Sequence, residues 1–302
     1  MHEHRLIYVL NPLAAGGKYT EKALADAQRT MPNEIHQTEG PNDCANYVAE
    51  MCVRDPDAHF VIYGGNGTAS EAAQGILSAG AGDRALFSVV PIGYENDFAR
   101  GVSRLNVPEG ETFLPIDILS VNGRAVVNML HIGFPCEIVT EKHVLCAKKF
   151  LPRKLAYSMA LNKAIKKKYT LPLKITLTTA AGEETLEGDF LFLSCGCFPY
   201  CGGDFTLLPA AGKTDGTFDM LLVRDFDKSM KKQAANFHTG EYLNCETLTA
   251  YPPVESIVTY RKCTAASITG FRTVCEDGEL TQAAGAKIAI LPKALRYMKY
   301  KV

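Results

Sequence analysis

The sequence has almost no net charge, and it has no long hydrophobic run. It carries 32 basic and 33 acidic side chains, so its formal charge is −1 and it presents no global positive field that would recruit nucleic acid. Near the amino terminus the continuous apolar stretch covers only residues 6–10, which is too short for a signal-peptide core or a membrane span. We therefore expect neither a nucleic-acid partner, nor secretion, nor membrane insertion.

Metal-binding cysteine patterns are also missing. Zinc sites usually combine paired CxxC units or nearby histidines, whereas only Cys195, Cys197 and Cys201 of the ten cysteines cluster. We expect the cysteines to be reduced, small core residues, which agrees with a cytoplasmic setting. Internal repeats, low-complexity tracts and long linkers are absent as well. At 302 residues the chain is long enough for about two domains.

The first third of the sequence alternates strand and helix patterns. Apolar runs at 6–10, 59–63 and 85–91 are each followed by a polar loop and then by a helix-like stretch. This alternation predicts βαβ units with a parallel sheet, and ligands bind such sheets at the carboxyl ends of the strands. The loops after these three strands are therefore the candidate site.

The pattern changes near residue 115. Strand-like runs at 115–120 and 125–130 flank Asn122-Gly123, a strong hairpin-turn signal because both residues tolerate positive φ. Later apolar runs are short and are separated by glycine, proline and aspartate. This second pattern predicts an antiparallel β-sandwich.

The predicted fold class is therefore α/β plus β, with two domains. A Rossmann-like α/β domain with a parallel sheet is expected over residues 1–122, and the segment 291–302 is expected to return to it. An antiparallel β-sandwich domain is expected over 123–290, with a helical insertion at 150–168.

Three loops carry the functional signal. Residues 11–18 contain two adjacent glycines, 64–68 contain three glycines with Thr68 as the expected helix cap, and 91–100 end one strand and begin a helix. Small residues let backbone N–H groups approach a phosphate, and a helix amino terminus adds partial positive charge. Each loop could instead be only a tight turn or a cap, and the first lacks the full spacing of known phosphate-binding loops.

Taken together and in order, the motifs resemble the catalytic domain of diacylglycerol kinases. The closer match is to the soluble bacterial lipid kinases of that superfamily, which also includes sphingosine and ceramide kinases. The matching stretches span nearly the whole chain and are 11–18, Thr38 in a Thr-Glu-Gly-Pro context, 64–71, 91–100, 214–219 and 277–279. The resemblance implies transfer of the γ-phosphoryl group of ATP to a lipid hydroxyl such as that of diacylglycerol, with ATP and Mg²⁺ as cofactors. It also implies that the α/β domain binds the nucleotide, that the β-sandwich domain binds the lipid substrate, and that the active site lies in the interdomain cleft.

The resemblance also implies roles for individual residues. Glu279 would be the general base that takes the proton of the attacking hydroxyl, with Asp277 beside it as a further catalytic candidate. A structural Mg²⁺ would be held by Asp215 and by the backbone oxygens of Gly212 and Thr217. The implied nucleotide-binding residues are Asn11, Thr38, Gly64, Gly65, Asn66, Gly67, Thr68, Ser70, Glu71, Tyr94, Asn96 and Asp97.

Three positions depart from the family motifs. Asn66 stands where the family has aspartate, and Tyr94 and Glu95 stand where it has threonine and a small residue. Asparagine keeps the size of aspartate but offers no negative charge to magnesium, so Asn66→Asp is expected to raise turnover. A non-catalytic or altered nucleotide- or lipid-binding homologue therefore stays open as an alternative. An NAD kinase-like protein, which shares the glycine-rich loop, is a further one.

A basic stretch stands apart from these motifs. Between Lys142 and Lys168 nine lysines and arginines occur without an acidic residue, and apolar side chains lie among them. We expect Lys148–Lys168 to dock peripherally on an anionic membrane surface that holds the lipid substrate. A solvated charged helix face is the alternative. The oligomeric state, a homodimer included, is left open.

Overall fold

The fold was obtained as a computed structural model. It describes residues 4–30, 35–146, 159, 170–203, 205–212, 214–224 and 234–300. The predicted helical insertion at 150–168 and the basic segment Lys148–Lys168 lie outside the described residues, apart from residue 159.

The first part of the chain is an α/β unit with a parallel sheet. Its strands are β1 (Leu6–Leu10), β2 (Ile35–Gln37), β3 (His59–Gly64) and β4 (Leu86–Pro91). They are all parallel, in the order β2-β1-β3-β4. The helices are α1 (Thr20–Thr30), α2 (Asp43–Arg54), α3 (Asn66–Ser78) and α4 (Asp97–Ser103). This confirms the predicted α/β architecture.

The strands read as continuous apolar runs because helices cover both faces of the sheet. On one face Tyr8 and Tyr63 pack against Ala23 and Ala27 of α1. On the other face Phe60 joins side chains of α2 and α3 in a core that continues into the rest of the molecule. Such a sheet exposes only its edges and the loops at its ends, so a ligand can reach this part of the molecule at the loops.

The second part is antiparallel. One sheet is formed by β7 (Met129–Gly133), β10 (Phe192–Gly196), β13 (Phe218–Val223), β16 (Val258–Cys263), β18 (Thr273–Glu276) and β19 (Glu279–Gln282). Its strand order is β16-β13-β10-β7-β18-β19. In one shared core it packs against β8 (Leu171–Thr179), β17 (Ala265–Thr269) and β20 (Gly285–Tyr297) of the other sheet. The predicted antiparallel sandwich is confirmed.

A long last strand joins the two parts. This strand, β20, pairs antiparallel with β17 through residues 285–289, and it pairs antiparallel with β5 (Leu114–Val121) on both sides of a register shift between Leu291 and Leu295. Beyond the shift it also pairs parallel with β4 through Arg296 and Leu86. One sheet therefore passes without interruption from the parallel to the antiparallel part. Its further strands are β6 (Arg124–Val126) and β9 (Gly182–Phe190).

The predicted hairpin at Asn122-Gly123 is present, with φ values of 50° and 85° at the two turn residues. The strand after it is shorter than predicted, however. β6 ends at Val126 and β7 begins at Met129 in the other sheet, so the expected strand 125–130 is wrong as a single element. The chain leaves its ladder here because a side chain, Asp277, takes the backbone N–H groups at 127–129.

Short elements and helices complete the described part of the chain. These are β11 (Tyr200–Cys201), β12 (Phe205–Thr206), β14 (Leu243–Asn244), β15 (Thr249–Ala250), α5 (Phe134–Cys146) and α6 (Ala234–Thr239). None of the helices within the described ranges is both long and apolar enough to cross a membrane. The cysteines described are all free and most are buried, as predicted for small core residues.

Candidate active site

The three loops predicted to bind a ligand lie at one edge of the sheet. Because β1, β3 and β4 are parallel neighbours, the loops that follow them emerge at the same carboxyl end. The side-chain amide of Asn11 donates to the Thr68 hydroxyl at 3.0 Å and so joins the first loop to the second. Thr38 reaches the same edge, where its N–H donates to the Leu10 carbonyl at 2.9 Å.

The second and third loops touch backbone to backbone. A Cβ on Gly93 would lie only 2.6 Å from the Cα of Gly65, and one on Gly64 would lie 2.5 Å from the Thr68 Cβ. Asn96 shapes the third loop, since its side chain accepts from the Gly93 N–H and donates to the Gly93 carbonyl, both at 3.0 Å. These glycines are therefore required for the close packing of the loops, whatever ligand the loops bind.

The amino terminus of α3 differs from the prediction in its cap. Gly65 is the N-cap residue and supplies no side-chain hydrogen bond, whereas Thr68, the predicted cap, lies in the first helical turn with its hydroxyl bonded to Asn11. Helix amino termini without a side-chain cap present N–H groups that can bind phosphate. The glycine cap therefore suits α3 to an anionic ligand.

Asn66 links α3 to α4. Its side-chain oxygen accepts a hydrogen bond from the Phe98 N–H at 3.1 Å, and its amide nitrogen donates to the Asp97 carboxylate at 3.4 Å. The oxygen thus caps α4 from the neighbouring helix. An amide can make both contacts because it carries an acceptor and a donor, whereas an ionised carboxylate has no donor.

Asp97 is buried beside this amide, with 2% of its surface exposed. Its second oxygen accepts a hydrogen bond from the Gly203 N–H at 3.0 Å. Burial, reinforced by the nearby Glu95, raises the pKa of Asp97 to about 6. The ionised form is therefore already costly, and it depends on the two donors that surround it.

Arg100 of α4 ties the two halves of the molecule together, although the sequence singled out no such contact. Its guanidinium donates to the Gly203 carbonyl at 2.9 Å and lies 3.8 Å from the centroid of the Tyr200 ring. A Cβ on the adjacent Gly101 would lie 2.9 Å from the Cβ of Phe198. The loop that follows β4 is thus clamped to the β11–β12 hairpin of the antiparallel part.

Tyr94 extends from the third loop toward the first. Its side chain is half-exposed, and a Cβ on Gly16 would lie 3.0 Å from its hydroxyl oxygen. Gly16 also has a φ of 67°, so both the nearby hydroxyl and the backbone conformation favour glycine at this position. A ligand that enters between these loops must fit beside the tyrosine ring.

Asp277 is a buried anchor. Its carboxylate accepts hydrogen bonds from the N–H groups of Val127 at 2.8 Å and of Asn128 and Met129 at 3.0 Å each. Burial raises the pKa of Asp277 to about 6 against the opposing effect of these donors. Three backbone donors occupy the carboxylate, so the geometry supports a positioning contribution of Asp277 instead of the predicted catalytic one.

Glu279 is exposed and begins β19, two residues after this anchor. A Cβ on Gly67 would lie 3.5 Å from a carboxylate oxygen of Glu279, so the carboxylate lies against the first turn of α3. Because Asp277 fixes the turn before β19, the position of Glu279 is fixed as well. A carboxylate of the antiparallel part therefore meets the glycine loop of the α/β part.

Two of the predicted nucleotide-binding residues brace α3 with their side chains. The Ser70 hydroxyl donates to the Ala125 carbonyl at 3.0 Å, and the Glu71 carboxylate accepts from the Asn42 N–H at 2.9 Å. Both side chains thus connect α3 to segments beside it. Their structural contribution is to hold the helix that carries the glycine loop.

Two of the three predicted magnesium ligands, Asp215 and Thr217, lie beside a lysine, Lys262. One oxygen of Asp215 lies 3.2 Å from the Lys262 ammonium, and the other accepts from the N–H and the hydroxyl of Thr217 at 3.2 and 2.5 Å. Burial alone would raise the pKa of Asp215, but Thr217 and the ammonium hold it below its usual value. Within the described ranges no three histidine, cysteine, aspartate or glutamate side chains gather into a metal-binding group. Both oxygens of Asp215 are thus engaged by groups of the chain itself, one by the Lys262 ammonium and the other by Thr217, which leaves this carboxylate poorly suited to a dication.

Comparison with known proteins tests the predicted resemblance. Residues 5–123 match the diacylglycerol kinase catalytic domain. A Pseudomonas aeruginosa protein named "Probable lipid kinase YegS-like" is 28% identical over 235 residues, which is 74% of this chain and 73% of the relative. The "Diacylglycerol kinase" of Bacillus subtilis is 26% identical over 259 residues, which is 81% of each chain.

A solved structure shows the same fold. The crystal structure of a diacylglycerol kinase from Bacillus anthracis aligns with 99% of this chain and 98% of its own, with a TM-score of 0.71 at 21% identity. The predicted resemblance and fold class are both confirmed. The similar proteins are named lipid kinase or diacylglycerol kinase, and none of them favours the non-catalytic or the NAD kinase-like alternative.

Proposed function

We propose that this protein transfers the γ-phosphoryl group of ATP to a lipid hydroxyl, with diacylglycerol as the first candidate acceptor. The observation that carries the proposal is the contact between the Glu279 carboxylate and the first turn of α3 at Gly67. A base from one half of the molecule and a loop suited to phosphate from the other half face the same space. Phosphoryl transfer needs this juxtaposition, because it depends on placing the acceptor, the phosphate and the base together.

ATP is taken as its magnesium complex, with its phosphates at the edge formed by the Gly64–Thr68 loop and the turn at 91–96. The uncapped N–H groups of α3 and the positive end of its dipole support binding of an anion there. Asn66, held between Asp97 and Phe98, fixes the distance between the two loops. In this arrangement Asn66 shapes the phosphate site and contributes no charge to magnesium.

Glu279 accepts the proton of the lipid hydroxyl as that oxygen attacks the γ-phosphorus. The bond between the γ-phosphorus and the bridging oxygen breaks, and ADP leaves with the bonding electron pair. A positioned general base contributes about 10²–10⁴-fold to such a step. Asp277 contributes indirectly, because its bonds to the segment 127–129 hold the turn that presents Glu279.

The lipid acceptor is reached at a membrane surface through the basic segment Lys148–Lys168. This segment carries eight basic residues and no acidic one, and that positive charge supports attraction to anionic headgroups. Docking of this kind is peripheral, and it places the acceptor hydroxyl near the protein without a membrane-spanning element.

The test is a transfer assay with γ-labelled ATP and vesicles of phosphatidylglycerol and phosphatidylcholine, with or without diacylglycerol. Label should enter the lipid fraction only when diacylglycerol is present. If a natural lipid extract is used and a lipid other than diacylglycerol is labelled, the proposed kinase activity stands and the proposed acceptor changes. If no lipid is labelled while the folded protein binds ATP, the non-catalytic alternative replaces this proposal.

A further inference from the structure

Lys262 occupies the centre of an ion-pair cluster at the loop between residues 211 and 218. It lies on β16, directly across from Asp219 of β13 in the antiparallel register. Its ammonium nitrogen is 3.1 Å from Asp219, 3.2 Å from Asp215 and 3.4 Å from the Thr217 hydroxyl. An ammonium has three N–H donors, and each of them therefore has an acceptor.

The cluster runs from the protein interior to its surface. The Asp219 side chain is 2% exposed, that of Lys262 is 23% exposed and that of Asp215 is 38% exposed. A buried carboxylate such as that of Asp219 is strongly unfavourable unless a positive charge accompanies it, and a second carboxylate nearby adds to that need. Among the residues that the structure describes, Lys262 is the cation that both carboxylates contact.

A dication would compete with the ammonium for the same place. Magnesium binds carboxylate oxygens at about 2.0–2.1 Å, so an ion on the Asp215 oxygen that contacts Lys262 would lie beside the ammonium. Two cations at that separation repel each other. The other Asp215 oxygen already accepts two hydrogen bonds from Thr217.

The loop held by this cluster reaches the junction between the two halves of the molecule. The Gly216 N–H donates to Asp117 of β5 at 2.7 Å, and the second oxygen of Asp117 accepts from the Lys293 N–H at 2.7 Å. Lys293 lies at the register shift of β20, where that strand passes from β17 to β4. Whatever cation fixes the loop therefore also supports the connection between the sheets.

We propose that the Lys262 ammonium is a built-in substitute for a divalent cation at Asp215 and Asp219, so that the loop is held in place without metal. The cation is part of the chain, and its binding does not depend on the magnesium concentration. Magnesium is then required only as the companion of ATP.

The experiment measures thermal unfolding of the full chain in EDTA and in millimolar MgCl₂, together with the metal content of the purified protein. The parent Tm should be the same in both buffers, with no stoichiometric metal. Lys262→Met should lower the Tm by roughly 5 °C or more in EDTA, because it leaves two carboxylates without a counter-charge. Magnesium should restore part of that loss, since the emptied place then accepts a dication.

Two controls separate this proposal from a general effect of charge. Lys174→Met removes an exposed lysine whose partner is Glu187, and it should change the Tm little in either buffer. Lys262→Arg keeps the positive charge and should lose less stability than Lys262→Met. A parent Tm that falls in EDTA, or stoichiometric magnesium in the parent, would overturn the proposal. So would a Lys262→Met protein that is as stable as the Lys174→Met control or that gains nothing from magnesium.

Discussion

The Asn66 amide donates to the buried Asp97 carboxylate across 3.4 Å, and its oxygen caps the next residue of α4 at 3.1 Å. The asparagine in the glycine loop is thus matched to a carboxylate in the neighbouring loop. An aspartate in its place would set a second negative charge against Asp97, whose pKa burial already raises to about 6. The departure from the family motif has a structural reason in this chain.

Asn66→Asp should therefore destabilise the protein and lower turnover, in contrast to the gain expected from the sequence alone. Its unfolding free energy should fall by roughly 1–3 kcal/mol at pH 7, the range for an uncompensated buried polar contact. The loss should shrink at pH 5, where Asp97 takes up a proton. Urea unfolding at the two pH values measures both effects, and an unchanged free energy at pH 7 would contradict the account.

The matched control exchanges the two groups. In Asn66→Asp combined with Asp97→Asn, one carboxylate again faces one amide, so most of the lost stability should return. A double variant as unstable as Asn66→Asp alone would show that the pair contributes nothing specific.

The raised pKa of Asp97 predicts the pH dependence of stability. Between the ordinary value of 3.8 and the folded value of about 6, the folded state binds more protons than the unfolded state. The contribution of Asp97 to the unfolding free energy should therefore fall as pH rises through this window, by up to about 3 kcal/mol for such a shift. Asp97→Asn should remove this contribution, so the slope of the unfolding free energy against pH should be more positive than in the parent. The slope that remains combines other groups, among them Asp277, whose pKa is raised in the same direction, and His59 and His131, whose lowered pKa values act in the opposite direction. Denaturant unfolding from pH 4 to 7 gives the slopes, and an identical slope in Asp97→Asn would disprove the assignment.

The contact between Tyr94 and Gly16 predicts a coupled effect on nucleotide binding. Gly16→Ala should weaken ATP binding by roughly tenfold or more, because the methyl group meets the tyrosine hydroxyl and the positive φ disfavours alanine. Tyr94→Thr combined with Gly16→Ala should recover the ATP affinity lost to the steric clash, but not the affinity lost to the strained backbone at residue 16. Calorimetric titration of the single and double variants measures the coupling. Strictly additive effects would mean that the two residues do not interact in the bound state.

The basic segment predicts salt-dependent membrane binding. In a sedimentation assay, phosphatidylglycerol vesicles should pull down far more of the parent protein than neutral vesicles do. The bound fraction should fall steeply as the salt concentration rises. Charge reversal at Lys166, Lys167 and Lys168 should weaken the free energy of binding to anionic vesicles by about 1 kcal/mol or more per residue. Equal binding to both kinds of vesicle would favour a solvated helix face.

The parallel sheet and the meeting of the three loops at one of its edges could be predicted because both follow from local patterns. Residues 59–63 form an apolar run with no polar face, which is typical of a strand covered on both sides, and the loop that follows it contains three glycines within residues 64–67. Once parallel strands are predicted, their carboxyl ends must share an edge. The meeting of the three loops is therefore a consequence of topology.

The contacts that decide how the site is built were not predictable, because they join residues far apart in the chain. Asp277 interrupts the strand after the hairpin by accepting the N–H of Val127, 150 positions earlier. Lys262 meets Asp219 across a sheet ladder and contacts Asp215 of the loop before that strand, with no motif around it. Thr68 has the sequence context of a helix cap, but Asn11 recruits its hydroxyl and Gly65 takes the cap position. Local preference was overridden in each case by a tertiary hydrogen bond.

The central claim is that Glu279 removes the proton of the acceptor hydroxyl at the first turn of α3. The most direct measurement is the rate of phosphoryl transfer by Glu279→Gln, taken together with its affinity for ATP, against the exposed control Glu183→Gln. Glutamine keeps the shape of the side chain without its basicity, so transfer should fall by about 10²–10⁴-fold while ATP affinity stays near that of the parent. The control should match the parent in both respects. A Glu279→Gln protein that still transfers phosphate at the parental rate would contradict the account.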